Sequence, residues 1–235
     1  MKQGLIKKIG ITTLAISSLI PKIAKAQEEV KIDLSSTIAS HYIAMGYILG
    51  GIGHKQDCIS INKNGLGTFF WQDYDFEKKE TGEIDVAVFY EKNLTKKLSG
   101  KVEGIYMHYP KGDDDKVLKV GITYEGIVNA SLDFANFFKD AEIENGIVFS
   151  SKISKDFPLN EKNNLNIGIS ADYVNKFYGD TGFTNVTPEI MFYHEGKKLD
   201  FGAYVGIQIG FINEPAMLPA AKNQLNAGIT LSKSF

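Results

Sequence analysis

Polar and apolar residues alternate along most of this chain. Between positions 84 and 88, Ile84, Val86 and Val88 share one parity, while Asp85 and Ala87 share the other. A period of two places successive side chains on opposite faces of an extended strand, whereas a helix repeats its apolar residues every three or four positions. The pattern therefore predicts β-strands with one apolar face and one polar face.

The same alternation, interrupted by turn residues, predicts twelve strands in a single domain. The predicted strands span residues 31–43, 56–62, 65–73, 83–92, 97–108, 116–125, 127–137, 146–155, 163–175, 185–194, 198–210 and 224–235. Short turns rich in Asn, Gly and Lys alternate along the chain with longer connections. The exception is the long segment 155–164, which stands where a short turn is expected. This order is typical of an up-and-down antiparallel barrel.

Two surroundings are compatible with strands of this kind. A soluble secreted barrel or sandwich buries its apolar face, whereas a membrane barrel turns that face to lipid. The membrane is favoured by aromatic residues near the ends of the apolar faces, which are Tyr42, Tyr90, Tyr106, Tyr124, Phe134, Tyr173 and Phe192. We predict an all-β fold, a single up-and-down antiparallel transmembrane β-barrel of about twelve strands, with the soluble barrel as the alternative.

The first residues are typical of a secretory signal peptide. Three lysines among the first eight residues precede the uncharged segment 9–20, and Ala24 and Ala26 supply the small residues of a cleavage site. Segment 9–20 is too short to span a membrane as a helix. We therefore expect a signal peptide at residues 1–26, cleaved near Ala26, and an outer-membrane barrel at residues 27–235 in a Gram-negative bacterium.

Composition excludes some partners. All 26 basic residues are lysines, and residues 1–26 contain five of them and none of the 28 acidic residues, so the remaining chain is net negative. Nucleic acid is therefore not an expected partner, because it requires a basic surface. Cys58 is the only cysteine, which excludes an internal disulfide. The expected partners are outer-membrane lipid and small solutes, no cofactor is expected, and the oligomeric state stays open.

The last predicted strand carries a membrane-assembly signature. Phe235, Leu231 and Ile229 occupy alternate positions and present apolar side chains on one face. This arrangement resembles the C-terminal recognition signal of bacterial outer-membrane proteins. The resemblance implies that the barrel-assembly machinery is a partner of the chain.

A second resemblance covers residues 40–110, about a third of the chain. The residues that carry it are Tyr42 and Gly46, Gly65, Trp71 with Asp73 or Asp75, Glu83 and Asp85, and Gly104 with His108 or Tyr109. Together they resemble the pattern of TorF-type porins, although Met45 stands where that pattern has Arg. The resemblance implies an outer-membrane location and a pore, and it implies no particular substrate.

Ionisable residues on the polar face are the candidates for lining the lumen. The predicted lumen-lining residues are Asp85, Glu91, Lys101, Glu103, Lys119, Glu125, Asp133, Lys152, Asp172, Glu189 and Asp200. Carboxylates outnumber lysines in this set, and rings of Asp and Glu favour cations. Twelve strands leave a narrow bore. We therefore predict a narrow, cation-preferring passive pathway, and the alternative is a non-conducting scaffold or surface-interaction barrel in which lysines and carboxylates pair across the wall.

Enzymatic and metal chemistry have little support in the sequence. The four histidines lie in no metal-ligand spacing, and no nucleophile motif such as G-x-S-x-G occurs. We predict that the protein is not an enzyme and holds no metal, with an outer-membrane lipid-modifying enzyme as the most distant alternative. The acidic segment 111–116 is predicted to be a solvated turn. The less favoured alternative is a Ca²⁺ site with Asp113, Asp114 and Asp115 as ligands.

Overall fold

The computed structural model describes residues 30–44, 47–48, 52–139, 146–177, 180–211 and 223–235. The predicted signal peptide and its cleavage site lie outside the described residues. Most of the predicted connections 139–146 and 211–224 also lie outside them. Within the described residues, no helix is long and apolar enough to cross a membrane.

Fourteen strands are described. They are β1 (Val30–Ala39), β2 (Ile43–Ala44), β3 (Tyr47–Ile48), β4 (His54–Lys63), β5 (Leu66–Asp75), β6 (Glu80–Asn93), β7 (Leu98–His108), β8 (Asp115–Tyr124), β9 (Asn129–Lys139), β10 (Gly146–Pro158), β11 (Asn163–Phe177), β12 (Asp180–His194), β13 (Asp200–Gly210) and β14 (Gln224–Ser234). Twelve of them form one closed barrel, and β2 pairs only with β3.

The barrel closes where its first and last strands meet. Strand β1 pairs with β4 on one side and with β14 on the other, and every pairing is antiparallel. From β4 to β14 each strand pairs with its neighbours along the chain. Closure removes the unpaired edges that an open sheet would expose. The prediction of an all-β, up-and-down barrel of twelve strands is confirmed.

Two strand boundaries differ clearly from the prediction. The first strand was expected to continue to residue 43, but it ends at Ala39, and the chain then forms the β2–β3 hairpin. Strand β12 begins at Asp180, whereas the corresponding predicted strand began at residue 185. A bulge between Asp172 and Tyr173 shifts the register, and β11 and β12 continue to pair on the far side of this bulge. Alternation alone does not show where a strand leaves the sheet.

The connection between β4 and β5 is a tight two-residue turn. Asn64 and Gly65 both have positive φ, at 55° and 87°. This conformation matches the twist of the flanking strands and favours Asn-Gly. A side chain at Gly65 would collide with the carbonyl oxygen of Glu91, so the position also requires a close backbone approach. The turn therefore fixes the register of β4 against β5.

The barrel has an apolar outer face and a polar inner face. The outward side chains are largely aliphatic, as in Val88 with 60% of its surface exposed. Other exposed apolar residues on this face include Val86, Val120, Ile122, Ile167, Ile169, Ile190, Val205, Ile207 and Ile229. We call one end of the barrel the short-turn end; it carries connections 64–65, 94–97, 125–128, 159–162 and 195–199. The opposite end, which we call the long-loop end, carries connections 40–53 and 211–223.

Candidate functional site

The inner face of the barrel is the candidate site. Cross-strand register joins its residues into continuous rows, and in one row Gly121 pairs with Asp133, which pairs with Ser150, which pairs with Asp172. Ten of the predicted lumen residues share this face: Asp85, Glu91, Lys101, Glu103, Lys119, Asp133, Lys152, Asp172, Glu189 and Asp200. The structure therefore places these ten side chains on one inner wall.

One predicted lumen residue, Glu125, lies in a connection at the short-turn end instead, and Asp200 lies on the inner face at that same end of the barrel. Glu125 is exposed in the turn that follows β8, where its backbone N–H donates to the carbonyl of Lys97 at 2.8 Å. This placement differs from the sequence expectation, because the strand ends one residue earlier, at Tyr124. Asp200 is the first residue of β13, and its carboxylate accepts a hydrogen bond of 3.0 Å from the Gly196 N–H.

Lysines of the inner wall are paired with carboxylates. The ion pairs are Lys31–Asp33 at 3.3 Å, Lys101–Glu103 at 2.8 Å, Lys119–Asp133 at 3.7 Å and Lys152–Glu189. Gly121 makes room for the third pair, because a side chain there would collide with the Asp133 carboxylate. Each pair neutralises a cationic charge locally, so these lysines contribute little positive field to the lumen.

A second group of carboxyl groups has partners other than lysine. Asp73 lies 2.9 Å from His54 Nδ1, and both side chains are almost completely buried. Glu83 accepts a hydrogen bond of 2.7 Å from the Tyr42 hydroxyl, and Asp85 follows two residues later on the same face of β6. Asp73 on β5 and Glu83 and Asp85 on β6 form an acidic group. None of the four lysine pairs includes a residue of this group, so the lysines do not neutralise its negative charge.

The β2–β3 hairpin folds into the barrel. Its residues pair as Ile43 with Ile48 and Ala44 with Tyr47. Just before it, Tyr42 contacts Glu83 on β6, whereas the Tyr47 hydroxyl donates a hydrogen bond of 2.8 Å to Asp180 on β12. Strands β6 and β12 are six positions apart in a ring of twelve. The hairpin and its two tyrosines therefore span the full width of the lumen.

An apolar cluster holds the hairpin against one side of the wall. Tyr47 is only 1% exposed and packs with Val117, Phe137, Val148, Val174 and Phe177. The rings of Phe137 and Phe177 lie 4.8 Å apart between centroids, and those of Tyr47 and Phe177 lie 5.8 Å apart. The cluster fills the lumen beside β8–β11 near the long-loop end. The sequence prediction did not include this feature, because it placed Tyr42 in the first strand, 31–43, and Tyr47 in the connection that follows.

The acidic segment 111–116 does not form a convergent ligand set. Hydrogen bonds from Tyr106 and His108 hold the pKa of Asp114 below its usual range. Asp115 is buried at the start of β8, whereas Asp113 is exposed. Among the described residues, no group of three or more His, Cys, Asp or Glu side chains is placed to hold a metal ion. Asp114 thus serves to tie the loop to the end of β7.

The residues of the predicted assembly signature lie on the outer face. Ile229 and Leu231 are about half exposed, and Phe235 is 46% exposed. The Phe235 backbone continues the β1–β14 ladder, because its N–H donates to the Ile32 carbonyl at 2.9 Å and its carbonyl accepts from the Ile32 N–H at 3.1 Å. Phe235 therefore lies at the seam that closes the barrel.

A closed antiparallel barrel of twelve strands is the fold of several solved outer-membrane channels. The KdgM porin superposes with a TM-score of 0.57 at 12% identity, with 87% of this chain and 99% of that chain covered. The NanC porin gives 0.52 at 8% identity, with coverages of 86% and 97%. The COG4313 outer-membrane channel from Pseudomonas putida F1 gives 0.53 at 9% identity, with coverages of 88% and 96%.

Sequence comparisons add no family. No protein-family model matches the chain, and no curated protein matches it. The resemblance of residues 40–110 to TorF-type porins is therefore not confirmed. At 8 to 12% identity, the similarity to the solved channels shows a shared fold alone.

Proposed function

We propose that this protein is an outer-membrane, porin-like barrel that provides a narrow passive pathway for small solutes and prefers cations. The observation that carries the proposal is the charge balance of the inner wall. Its lysine pairs are locally neutral, whereas Asp73 contacts His54, Glu83 contacts Tyr42, and none of the lysine pairs of the inner wall includes Asp85. Carboxylates lining a narrow, low-dielectric bore attract cations and repel anions.

An outer-membrane location is supported by the outer face. Aliphatic side chains cover the outward positions of most strands, and a continuous apolar band of this kind is unstable in water. Barrel strands of 10 to 15 residues are long enough to cross a bilayer at a tilt. The even number of strands places both ends of the barrel chain on one side of the membrane. We propose that this side is the periplasm and that the long-loop end faces outward.

The location proposal predicts heat-modifiable migration. A closed ladder of backbone hydrogen bonds resists detergent, so the unheated barrel is expected to run at a different apparent mass from the heated chain on a gel. Extraction from cells is expected to require detergent. Recovery of the folded protein in the freely soluble periplasmic fraction would contradict the proposal and would favour a soluble secreted barrel.

The solute class is proposed from charge rather than from the structural neighbours. One solved KdgM porin structure is a complex with disordered oligogalacturonate, an acidic sugar polymer. This chain contains no arginine, and its lumenal lysines are paired with carboxylates. A polyanion would meet a net negative wall here. We therefore propose small neutral or cationic solutes for this chain.

Neutralising three lumenal carboxylates is expected to weaken the cation preference. The variant combines Asp85→Asn, Glu103→Gln and Asp172→Asn, and its Glu103→Gln change also leaves the Lys101 ammonium without its partner at 2.8 Å. A unit charge 4 Å from an ion contributes about 1 kcal/mol even in water, so the permeability ratio of cations to anions is expected to fall several-fold. Reversal potentials in a salt gradient measure this ratio.

The matched control for this variant is Glu125→Gln. Glu125 is an exposed carboxylate in a turn, so its neutralisation removes one charge without changing the inner wall. The control is expected to keep the wild-type permeability ratio. An unchanged ratio in the triple variant would show that these carboxylates do not set the field in the lumen.

A non-conducting scaffold is the second candidate function. It is favoured by the hairpin that spans the lumen from β6 to β12 and by ion pairs that join different strands of the wall. In this reading the charges stabilise the wall and the protein presents its loops to a surface partner. An enzymatic role is not proposed. Current through single barrels distinguishes the channel from the scaffold.

A further inference from the structure

A cavity lies between the hairpin and the short-turn end, on the side of the lumen formed by β1 and β4–β7. Its volume is about 530 Å³, within the range of small-ligand sites. Two kinds of side chain matter in its lining: the aromatic residues Tyr42, Phe69, Trp71 and Phe89, and the charged residues Asp33, Asp85, Glu91, Lys31 and Lys101. Aromatic rings beside carboxylates are a typical environment for a cation with an organic body.

A buried carboxylate oxygen points to a missing partner in this cavity. Asp85 is 7% exposed, and its Oδ1 atom has no hydrogen-bond partner among the residues that the structure describes. Its neighbour Glu83 is 2% exposed, and Glu83 Oε1 is in the same situation. Leaving a buried acceptor without a donor is costly, so such atoms call for a ligand, an ion or water.

Trp71 lies directly beside this carboxylate. Trp71 on β5 and Asp85 on β6 are a cross-strand pair on the inner face, a placement that brings Cβ atoms to about 5 Å. The Trp71 ring also lies 5.4 Å from the Tyr42 ring, between centroids. Tryptophan attracts cations over its face more strongly than the other aromatic residues. A cation between Trp71 and Asp85 would therefore meet both a ring face and a negative charge.

The protein already places an ammonium group over aromatic rings in this cavity. Lys101 Nζ lies 4.4 Å from the centroid of Phe89 and 6.0 Å from that of Phe69. The two lysines of the cavity do not neutralise Asp85, because Lys101 pairs with Glu103 and Lys31 pairs with Asp33. Two lining carboxylates, Asp85 and Glu91, are thus outside these lysine pairs, and Asp85 is the one that lies beside the Trp71 ring.

We propose that this cavity binds small organic cations that carry a primary or quaternary ammonium group, held between the Asp85 carboxylate and the Trp71 ring. The inference deepens the proposed function and rests on it, because it names the class of cation for which the lumen has a binding site. An inorganic cation fits less well. It requires several oxygen ligands, whereas the rings of Tyr42, Phe69 and Phe89 supply much of this lining.

The fluorescence of Trp71, the only tryptophan in the chain, reports occupancy directly. The purified full-length barrel in detergent is titrated with tetramethylammonium chloride and with butylammonium chloride, and NaCl keeps the ionic strength constant. A saturable change in Trp71 emission is expected with both organic cations. The Asp85→Asn variant is expected to bind about tenfold more weakly, because it loses a hydrogen bond or ion pair to a charged group.

Glu125→Gln is the matched control, because Glu125 is an exposed carboxylate in the turn after β8 and does not line this cavity. It is expected to keep the wild-type binding curve. A wild-type titration without a saturable change would overturn the proposal even if the Asp85→Asn variant failed to fold. An equal response to NaCl alone, or identical curves for wild type and Asp85→Asn, would overturn it as well.

The test separates this site from the pore. Saturable binding without any current in bilayers would contradict the proposed pathway and leave the ammonium site intact. Current steps without saturable binding would support the pathway and overturn the site.

Discussion

Removal of the inward hairpin is expected to raise the single-channel conductance about twofold or more, because a twelve-strand barrel has little bore to spare. The hairpin and its flanking residues cross the lumen from Glu83 on β6 to Asp180 on β12. The variant replaces residues 43–48 with a short glycine-serine segment and leaves the barrel strands intact. Conductance of single barrels in planar bilayers measures the effect.

Point variants test the same account without shortening the chain. Tyr47→Ala removes the ring that packs with Phe177 and the hydroxyl that binds Asp180, so it is expected to give larger and noisier current steps. Tyr106→Ala is the matched control, because Tyr106 is an exposed tyrosine on the outer face of β7. Wild-type conductance in both Tyr47→Ala and the hairpin replacement would show that the hairpin does not restrict the pathway.

Replacing the side chain of Phe235 is expected to reduce the folded barrel in the membrane about tenfold. The ring lies on the apolar outer face, and transferring a Phe side chain from water to an apolar environment contributes about 1.5–3 kcal/mol. Phe235→Ala keeps both backbone hydrogen bonds to Ile32, so the variant isolates the contribution of the ring. The amount of heat-modifiable protein in outer-membrane fractions measures assembly.

The control for Phe235 is the conservative change Phe235→Tyr. It keeps an aromatic ring at the same seam and is expected to assemble at close to the wild-type level. Export is expected to continue in both variants, as judged by the amount of unfolded chain in the periplasm. Assembly of Phe235→Ala at the wild-type level would make Phe235 an ordinary strand position rather than an assembly signal.

The strands were predictable because their alternation is local. The pairs Val86–Tyr106 and Val88–Gly104 follow from two predicted strands joined by one turn, and the fold needs no further information there. The alternation is interrupted at residues 69–71, where three aromatic residues follow one another. Phe69 and Trp71 line the cavity, whereas Phe70 is exposed on the outer face. Aromatic residues serve both faces of this strand, so alternation is hidden in the sequence.

The hairpin was not predictable from the same pattern. Tyr42 falls on an alternating position after β1, so a period of two extends the strand past its true end at Ala39. The apolar residues that hold Tyr47, such as Val117 and Phe137, carry no mark that distinguishes an inward from an outward side chain. Their role exists only when the barrel is closed and strands distant in sequence meet around the hairpin.

The charge pairs show the same limit. The inward placement of Lys152 and Glu189 follows from the parity of their strands. Their contact depends on β11, which lies between them, and on the register that two separate strand pairings impose. The charged wall is therefore predictable from the sequence, whereas the pairs that neutralise its charges are not.

The central claim is that cations pass through this lumen in preference to anions. The most direct test measures ion currents through wild-type barrels in a planar bilayer with a KCl gradient. The account predicts discrete current steps and a reversal potential of the sign set by K⁺. Absence of steps would contradict the pathway and favour the scaffold. A reversal potential of the sign set by Cl⁻ would contradict the charge assigned to the inner wall.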